Sequence, residues 1–470
     1  MKWGVVAKVV TQIVAWLVTL IVIRVLTPGD YGLMALCTAV TAVIAGCAEF
    51  GLGASLVHAR VLTKSDLARV AGALLLLNTS CLILAVAGAG LFATLFGDPR
   101  LEIIIQVSSL QFLLAAIVAV PESLAYRAMN FKWLAMADIA AGLTISLTTL
   151  AFALLGFGVW ALVIGNLSGA VIRSTILLMA GTAVWPTLRL SGIGQFLRYG
   201  GAWAGARFAW QLTYLSDILI AGRFLTESMV GTYSVAQQLS NMPLGKAMGI
   251  VNQVAFPAIA RLQDDLPRMR KRFLDAIRLM AGFAIPSLWG LALVAGELID
   301  VVLGERWQSA VLPLQLISIV GPLRMVSAML ATAVSAIGRA DIELGNTIRS
   351  LVIFVAILLI GVRWGLLGLS AGYAVAVALS FTVTLARTVR IVGIPAVALF
   401  RACSSAVVSS GAMCLAVMAL RPALLGIDTW LRLPMLIVVG AGVYAVTLAL
   451  IDRPIWSDAR RVMTALRTGA

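Results

Sequence analysis

The sequence predicts an all-α integral membrane protein with about fourteen transmembrane helices. The first observation is composition: 61% of the 470 residues are hydrophobic and 12% are charged, whereas soluble domains carry about 25% charged residues. The second is that apolar runs of about 20 residues, the length that spans a bilayer, recur along the whole chain. A water-soluble fold could not bury this much apolar surface, so lipid must be its solvent.

The predicted spans follow one another with short gaps, many of them marked by Gly and Pro. The apolar run from Val9 to Ile23 is long and no small-residue cleavage site follows it, so we interpret it as a retained first span and not as a signal peptide. The fourteen spans are predicted at residues 4–24, 31–56, 70–95, 101–121, 133–155, 158–181, 197–221, 228–252, 276–296, 309–336, 343–362, 366–387, 396–420 and 430–451.

The charged residues predict the orientation of these spans. The formal net charge is +15, from 35 Lys and Arg against 20 Asp and Glu. With fourteen spans both termini lie on one side, and the loops on that side hold most of the basic residues, as in the loop at 257–275. Basic residues accumulate on cytoplasmic loops, so both termini are predicted to be cytoplasmic. The positive charge therefore reports topology, and we expect no nucleic-acid partner.

The sequence contains few residues that could bind a metal or cofactor or catalyse a reaction. The five cysteines lie in apolar stretches without a CxxC pair, and His58 is the one histidine, so we expect no metal site and no cofactor. A membrane polysaccharide polymerase or glycosyltransferase would need carboxylates or a metal at an aqueous face, usually on a sizeable loop. The acidic loop at residues 297–305 is short. We therefore expect a transporter and not an enzyme.

An internal repeat organises the spans. Arg24 to Thr27 followed by Gly32, and Arg223 to Thr226 followed by Gly231, both match R-x-L-T-x4-G. The two copies are separated by six spans, an even number, so both halves have the same orientation. Transporters with such parallel repeats place their substrate between the halves and alternate access by rocking one half against the other. We therefore predict two pseudo-symmetric six-helix bundles around a central cavity, plus two C-terminal helices.

The predicted domain boundaries follow from this repeat. The N-terminal six-helix lobe covers residues 1–181, and a cytoplasmic inter-lobe linker covers 182–196. The C-terminal six-helix lobe covers 197–390. Residues 391–470 supply the two additional helices and a basic cytoplasmic tail.

Ionisable residues deep inside membrane helices are the candidate transport residues, because such positions are energetically costly. By depth these are Arg207, Arg324, Lys246 and Lys8, which we expect to line the cavity. Glu49 lies in the inner third of its span and is a candidate cavity or coupling carboxylate, with H+ or Na+ as the ion. The alternative for each is a structural ion pair or a snorkelling side chain.

Charges nearer the helix ends have a different interpretation. Arg24 and Arg223 end their helices at the predicted periplasmic face, with Asp217 shortly before Arg223. These three residues are candidates for a periplasmic gate, and snorkelling also explains the two arginines. Asp138 and Arg173 lie at similar depth near the cytoplasmic ends of spans five and six, and we predict that they form a structural ion pair.

Several motifs resemble a known family. Ile23-Arg24-Val25-Leu26-Thr27-Pro28-Gly29-Asp30-Tyr31-Gly32, Glu49-Phe50-Gly51-Leu52-Gly53, Tyr126-Arg127-Ala128-Met129-Asn130-Phe131 and Gly158-Val159-Trp160-Ala161-Leu162-Val163 stand in their order along the chain. Together they resemble bacterial polysaccharide transporters of the Wzx type, within the multidrug/oligosaccharidyl-lipid/polysaccharide exporter superfamily. The resemblance covers most of residues 1–340, and its motifs are turn and packing signatures.

The resemblance implies a flippase that moves undecaprenyl-pyrophosphate-linked oligosaccharide across the bacterial inner membrane by alternating access, for exopolysaccharide, capsule or O-antigen export. The basic cavity residues would then compensate the pyrophosphate charge. Expected partners are the lipid-linked oligosaccharide, membrane lipids, and the polysaccharide polymerase and export machinery. The alternative is a drug or cation antiporter of the same superfamily, but the deep charges are mainly basic and favour an anionic cargo.

Overall fold

A computed structural model describes residues 15–48, 52–58, 62–179, 184–189, 194–250, 265–336 and 339–452. These parts of the chain are helices joined by short turns, as the composition predicts. In order, the helices are α1 Ala15–Val25, α2 Pro28–Ala48, α3 Leu52–His58, α4 Lys64–Phe96, α5 Arg100–Ser108, α6 Gln111–Arg127, α7 Phe131–Leu154, α8 Val159–Met179, α9 Gly194–Phe224, α10 Glu227–Ile250, α11 Leu266–Leu293, α12 Val311–Ala336, α13 Ala340–Gly361, α14 Gly365–Val392, α15 Ala396–Leu420 and α16 Thr429–Ile451. Short helical turns at Ala295–Leu298, Ile299–Leu303 and Glu305–Ala310 connect α11 to α12.

The all-α prediction and the fourteen spans are confirmed. Each predicted span overlaps a described helix, and two of the predicted spans each contain two helices, α2 with α3 and α5 with α6. Among the described residues, ten stretches are long and apolar enough to cross a membrane, and the stretch Asp341–Val392 contains both α13 and α14. The short α1 and the more polar helices α9 and α10 fall outside those ten.

The chain divides into two compact units, residues 1–231 and residues 232–470. Helix α9 packs against α2, α3 and α4 inside the first unit. The boundary predicted at residues 182–196 rests on the sequence repeat and stays a prediction.

Small residues determine the tightest helix pair of the first unit, α7 against α8. A Cβ atom on Gly165 would lie 2.0 Å from Thr149 Oγ1, and one on Gly169 would lie 2.2 Å from Ile145 Cγ1. Glycines four residues apart let two membrane helices approach closely, because dispersion contacts replace the hydrophobic drive that lipid does not provide.

Part of the predicted linker lies against this first unit. The Thr187 N–H donates to the Ala68 carbonyl at 3.0 Å. A Cβ atom on Gly72 would lie 1.9 Å from the Thr187 carbonyl oxygen, so only glycine allows the two backbones to meet there. Residues 184–189 are therefore fixed to the start of α4.

The second unit is built around α11, which packs against α12 and α15, while α12 packs against α14. A buried apolar core joins these helices and includes Met269, Phe273, Leu288, Met329 and Leu330. The two C-terminal helices belong to this packing, because α15 packs against both α11 and α16.

Two bidentate ion pairs fix the C-terminal helices to α11 and the turn that follows it. Arg278 pairs with Asp452, with Nε donating to Oδ2 at 2.7 Å, and Ser405 donates to the same oxygen at 3.0 Å. Arg421 pairs with Glu297 through hydrogen bonds of 2.9 and 2.7 Å. Since 421 and 452 lie at opposite ends of the predicted helix pair, α15 and α16 are held at both ends.

Candidate functional site

Arg324 is the deeply placed cation whose surroundings the structure describes. It lies near the middle of α12, which begins at Val311 and ends at Ala336. At 1.5 Å per residue it is about 20 Å from either end of the helix. Lipid-spanning helices tolerate an arginine at that depth when neighbouring helices or a polar cavity receive the charge.

Neighbouring helices of the second unit orient the Arg324 guanidinium. Nη1 donates a hydrogen bond of 3.1 Å to Oδ1 of Asn241 on α10. The guanidinium carbon lies 5.8 Å from the ring centroid of Tyr373 on α14, within cation–π range. Both of these partners are neutral, and together they orient the guanidinium.

Aromatic packing in turn fixes Tyr373. Its ring meets Tyr233 edge-on at 6.3 Å and Phe354 edge-on at 5.8 Å, centroid to centroid. Tyr233 and Tyr373 are both buried. Edge-to-face pairs add to the stability that burial supplies, so the Tyr373 ring gives Arg324 a rigid support.

A polar seam continues along the same helices. Ser318 on α12 donates to Ser240 on α10 at 3.2 Å, and both are buried. Gln237 is buried one turn before Asn241 on α10. Helix α10 therefore faces α12 with amides and hydroxyls, which explains why α10 is less apolar than an ordinary span.

A second charged cluster lies in the first unit, where Arg173 on α8 meets two carboxylates. Its Nη2 and Nη1 donate to the two oxygens of Glu122 on α6, at 2.7 and 3.0 Å. Its Nε donates to Oδ1 of Asp138 on α7 at 3.1 Å. The Asp138–Arg173 pair was predicted from depth, whereas Glu122 was not. Because Glu122 holds the guanidinium bidentately, this cluster ties three helices together.

The other predicted cavity residues lie where their side chains are not described. Arg207 is on α9 and Lys246 is on α10, which places each in a helix, as predicted. Lys8 and Glu49 lie outside the described residues. The cavity and coupling roles of these four residues stay predictions.

The three candidate gate residues differ in burial. Arg24 is exposed near the end of α1, and Arg223 is exposed with its guanidinium carbon 6.0 Å from the Phe224 ring centroid. Asp217 is 1% exposed, and its Oδ1 accepts the N–H of Ile218 at 2.8 Å. Asp217 is thus buried, whereas the two arginines are exposed. The gate role of the three residues stays a prediction.

An ion pair that the sequence did not indicate lies at the same predicted face. Arg100, the first residue of α5, bonds to Asp98 at 2.7 Å and to Glu227, the first residue of α10, at 3.3 Å. The acidic first turn of α10 and the sequence Asp98-Pro99-Arg100 were visible in the sequence. That they meet depends on how α5 and α10 are placed.

A cavity of about 580 Å³ lies elsewhere in the second unit, lined by residues of α11 and α15 and by the end of α16. Its charged lining residues are Asp275, Arg278, Arg401 and Asp452. Two positive and two negative groups do not select a strongly anionic ligand. This cavity does not include Arg324 in its lining.

Within the described ranges, no group of three or more His, Cys, Asp or Glu residues could hold a metal ion. The charged groups that the structure brings together there are arginine–carboxylate pairs and the Arg324 cluster.

Comparison with known proteins identifies the relatives of this chain. A family model described as polysaccharide biosynthesis protein matches residues 21–312. The lipopolysaccharide biosynthesis protein WzxC of Escherichia coli (strain K12) is 26% identical over 394 residues, covering 79% of this chain and 76% of that protein. The succinoglycan biosynthesis transport protein ExoT of Rhizobium meliloti (strain 1021) is 24% identical over 313 residues, covering 66% of this chain and 63% of that protein. The predicted resemblance to Wzx-type proteins is confirmed.

The fold is also that of a solved transporter. The lipid II flippase MurJ, in its inward closed conformation, superimposes with a TM-score of 0.79 and 15% identity. The match covers 97% of this chain and 100% of that one. At this identity the match establishes the fold, a bundle of membrane helices.

Proposed function

Because this chain belongs to the polysaccharide biosynthesis protein family, we propose that it flips a lipid-linked oligosaccharide across the membrane. In full, the cargo is an undecaprenyl-pyrophosphate-linked oligosaccharide, carried across the bacterial inner membrane by alternating access for exopolysaccharide, capsule or O-antigen export. Relatives named for lipopolysaccharide biosynthesis and succinoglycan transport, and the shared fold with a lipid II flippase, support this assignment. Both termini lie in the cytoplasm, and the protein acts as a transporter and not as an enzyme.

The observation that carries the choice of an anionic cargo is the placement of Arg324. A guanidinium is charged at every physiological pH and presents a planar set of N–H donors that matches phosphate oxygens. Asn241 and Tyr373 orient that fork. An oriented positive charge near the middle of a membrane helix favours a pyrophosphate, which must lose its water as it crosses the bilayer.

The remaining predicted residues complete this proposal. Arg207, Lys246 and Lys8 would add further positive charge along the path, and Glu49 would couple the movement to H+ or Na+. The polymerase and the export machinery would act on the product after it reaches the periplasmic leaflet.

The test replaces Arg324 and follows the lipid. Arg324→Ala, Arg324→Lys and a control, Arg349→Ala, would be expressed in cells lacking the native copy. Arg349 suits this role because it is an exposed arginine of α13, and its guanidinium donates to the Gly345 carbonyl of the same helix at 2.7 Å. The measurements are exported polysaccharide, the amount of lipid-linked oligosaccharide on each leaflet, and the amount of inserted protein.

We expect Arg324→Ala to insert normally and to reduce export by about 10- to 100-fold, since a hydrogen bond to a charged group contributes about 1.5–3 kcal/mol. The oligosaccharide should accumulate on the cytoplasmic leaflet. Arg324→Lys should retain part of the export, because it keeps the charge and loses the fork. Normal export by Arg324→Ala, with Arg349→Ala also normal, would show that Arg324 does not handle the cargo.

The same cells also test the alternative of a drug or cation antiporter. A cationic cargo would be repelled by Arg324, so that hypothesis predicts unchanged or faster efflux of a cationic dye in Arg324→Ala. It also predicts no change in the lipid-linked pool when the protein is deleted. The leaflet measurement therefore distinguishes the two cargo classes.

A further inference from the structure

The two copies of the repeat R-x-L-T-x4-G meet each other in the structure. A Cβ atom on Gly32 would lie 1.8 Å from the carbonyl oxygen of Glu227 and 3.1 Å from the nitrogen of Gly231. A Cβ atom on Gly231 would lie 1.7 Å from the carbonyl oxygen of Pro28 and 2.7 Å from the nitrogen of Gly32. Neither position therefore has room for any side chain.

This contact is reciprocal. Gly32 touches the residue that begins α10, and Gly231 touches the residue that begins α2, so each repeat copy presents the same surface to the other. Reciprocal contacts of this kind are the signature of a local two-fold relation. All of these residues belong to the first compact unit.

The contact brings together two helix N-termini, which carry partial positive charges of the same sign. At the first copy, the Thr27 N–H and hydroxyl donate to Asp30 at 2.9 and 2.6 Å, which puts a carboxylate in the first turn of α2. At the second copy, Thr226 accepts the N–H of Met229 at 3.4 Å, and Glu227 supplies the carboxylate. Each helix start therefore carries a negative charge that reduces the repulsion between the two termini.

The Asp98–Arg100–Glu227 ion-pair cluster lies over the start of α10. The side chains of Arg100 and Glu227 are 61% and 41% exposed, and that of Asp98 is 12% exposed. Exposed ion pairs of this kind change an equilibrium by about fivefold at most. Arg100 is thus firmly bound on its own side, to Asp98, and weakly bound to α10.

An apolar contact lies next to this polar layer. A Cβ atom on Gly222 of α9 would lie 2.2 Å from Leu36 Cδ2 and 2.9 Å from the Phe96 ring. Leu36 is on α2, one turn beyond Gly32. This apolar contact therefore lies one turn beyond the Gly32 contact, on the face that the charge distribution assigns to the periplasm.

We propose that the Gly32–Gly231 contact and the Arg100–Glu227 pair form a periplasmic latch, which separates each time the protein opens to that side. The two backbones meet without interlocking side chains, and an exposed ion pair dissociates at low cost, so this contact can break and re-form. The sequence repeat accounts for the contact, since equivalent residues of the two copies lie in different halves of the repeat, and a motion of one half against the other separates them. The proposal rests on the alternating access of the proposed function.

The test is a reversible disulfide across the latch. A Cβ atom on Gly29 would lie 3.5 Å from Glu227 Cγ, so Gly29→Cys with Glu227→Cys places two sulfurs within bonding reach. The five native cysteines are first replaced in a chain shown to remain active. The matched control is Gly440→Cys with Met413→Cys between α16 and α15, where a Cβ atom on Gly440 would lie 3.4 Å from Met413 Cγ.

Oxidation should form both disulfides. We expect polysaccharide export to stop in the latch pair, to recover on reduction, and to continue in the control pair. A latch pair that crosslinks fully and still exports would show that the contact is permanent, and a pair that never crosslinks would show that the contact does not form.

A second measurement does not depend on the cargo. In membranes, the thiol of the single variant Gly29→Cys, which keeps Glu227, is labelled with an impermeant maleimide added to the periplasmic side. If the contact opens, Arg100→Ala should raise the labelling rate by up to about fivefold and high salt should act in the same direction, because exposed pairs are screened. Arg363→Ala, which removes another exposed charge from the predicted periplasmic side, should leave it unchanged.

An unchanged rate in Arg100→Ala would overturn the latch even if the flippase assignment holds. A raised rate in a protein that moves no lipid-linked oligosaccharide would keep the latch and overturn the cargo.

Discussion

Arg173 offers a quantitative test of how charges are held inside this membrane protein. Its guanidinium makes two hydrogen bonds to Glu122 and one to Asp138, at 2.7, 3.0 and 3.1 Å. The side chains of Arg173 and Glu122 are 29% and 26% exposed, whereas that of Asp138 is 63% exposed. Replacing Arg173 by Gln therefore leaves one largely buried carboxylate and one largely exposed carboxylate without their cation.

The expected magnitudes follow from these exposures. Breaking a fully buried pair by removing one partner costs about 3–5 kcal/mol, and partial exposure reduces this to about 2–3 kcal/mol for Arg173→Gln. Asp138→Asn removes an exposed pair and should cost less than about 1 kcal/mol. Glu122→Gln keeps a polar group beside the guanidinium and should cost about 1–2 kcal/mol.

The assay is unfolding in mixed micelles as the fraction of denaturing detergent rises, followed by tryptophan fluorescence in each variant. The decisive comparison is the double variant Arg173→Gln with Glu122→Gln, which no longer carries the orphaned carboxylate of Glu122. It should be more stable than Arg173→Gln alone, by about 1 kcal/mol or more. If the double variant loses the sum of the two single losses, or if Asp138→Asn costs as much as Arg173→Gln, this account of the cluster is wrong.

Two further predictions concern packing and pH. Gly165→Val should lower the thermal midpoint by an amount corresponding to about 1–3 kcal/mol, because Thr149 fills the space that the new Cβ atom needs. The control Gly142→Ala should be neutral or stabilising, because no atom lies within 4 Å of the added Cβ atom. Equal losses of stability in the two variants would contradict the packing of α7 on α8. The hydrogen bond from Arg100 holds the pKa of the Asp98 carboxyl, in its loop, below the ordinary value. The ionised Asp98 therefore stabilises the folded state fully above its unfolded pKa of about 3.9, and this stabilisation is lost as pH falls through the lower folded pKa. The difference in thermal midpoint between the natural chain and Asp98→Asn should therefore stay constant from pH 7 to about pH 5 and shrink only below about pH 4, and a loss near neutral pH would contradict this assignment.

Parts of the fold and of the site could be predicted because they depend on local composition. Each span is visible as an apolar run, and the depth of Arg324 or Arg173 follows from counting residues along a helix. The Asp138–Arg173 pair was found in this way, because residues at equal depth on consecutive spans are natural neighbours. Glu122 lies at a similar depth, next to Pro121 near the end of α6, and depth alone did not identify it as the closer partner of Arg173.

The Arg324 cluster could likewise be predicted only in part. The sequence identified the arginine from its depth, but Asn241 and Tyr373 are more than forty residues away on α10 and α14. An amide and an aromatic ring are common in membrane helices, so neither indicates a partner by itself. Which face each helix turns toward α12 depends on packing, and that rotation is not encoded in hydropathy.

The sequence by itself determined that this protein is a bundle of fourteen membrane helices and that its two halves share the motif that ends in Gly32 and in Gly231. These properties follow from the free energy of moving residues into lipid, which is local and nearly additive along the chain. Tertiary structure alone decided that the two glycines touch, that Arg100 reaches Glu227, and that Arg173 holds two carboxylates. Such contacts require atoms within about 4 Å, and helix rotation and crossing, which set those distances, follow from packing against neighbours distant in sequence.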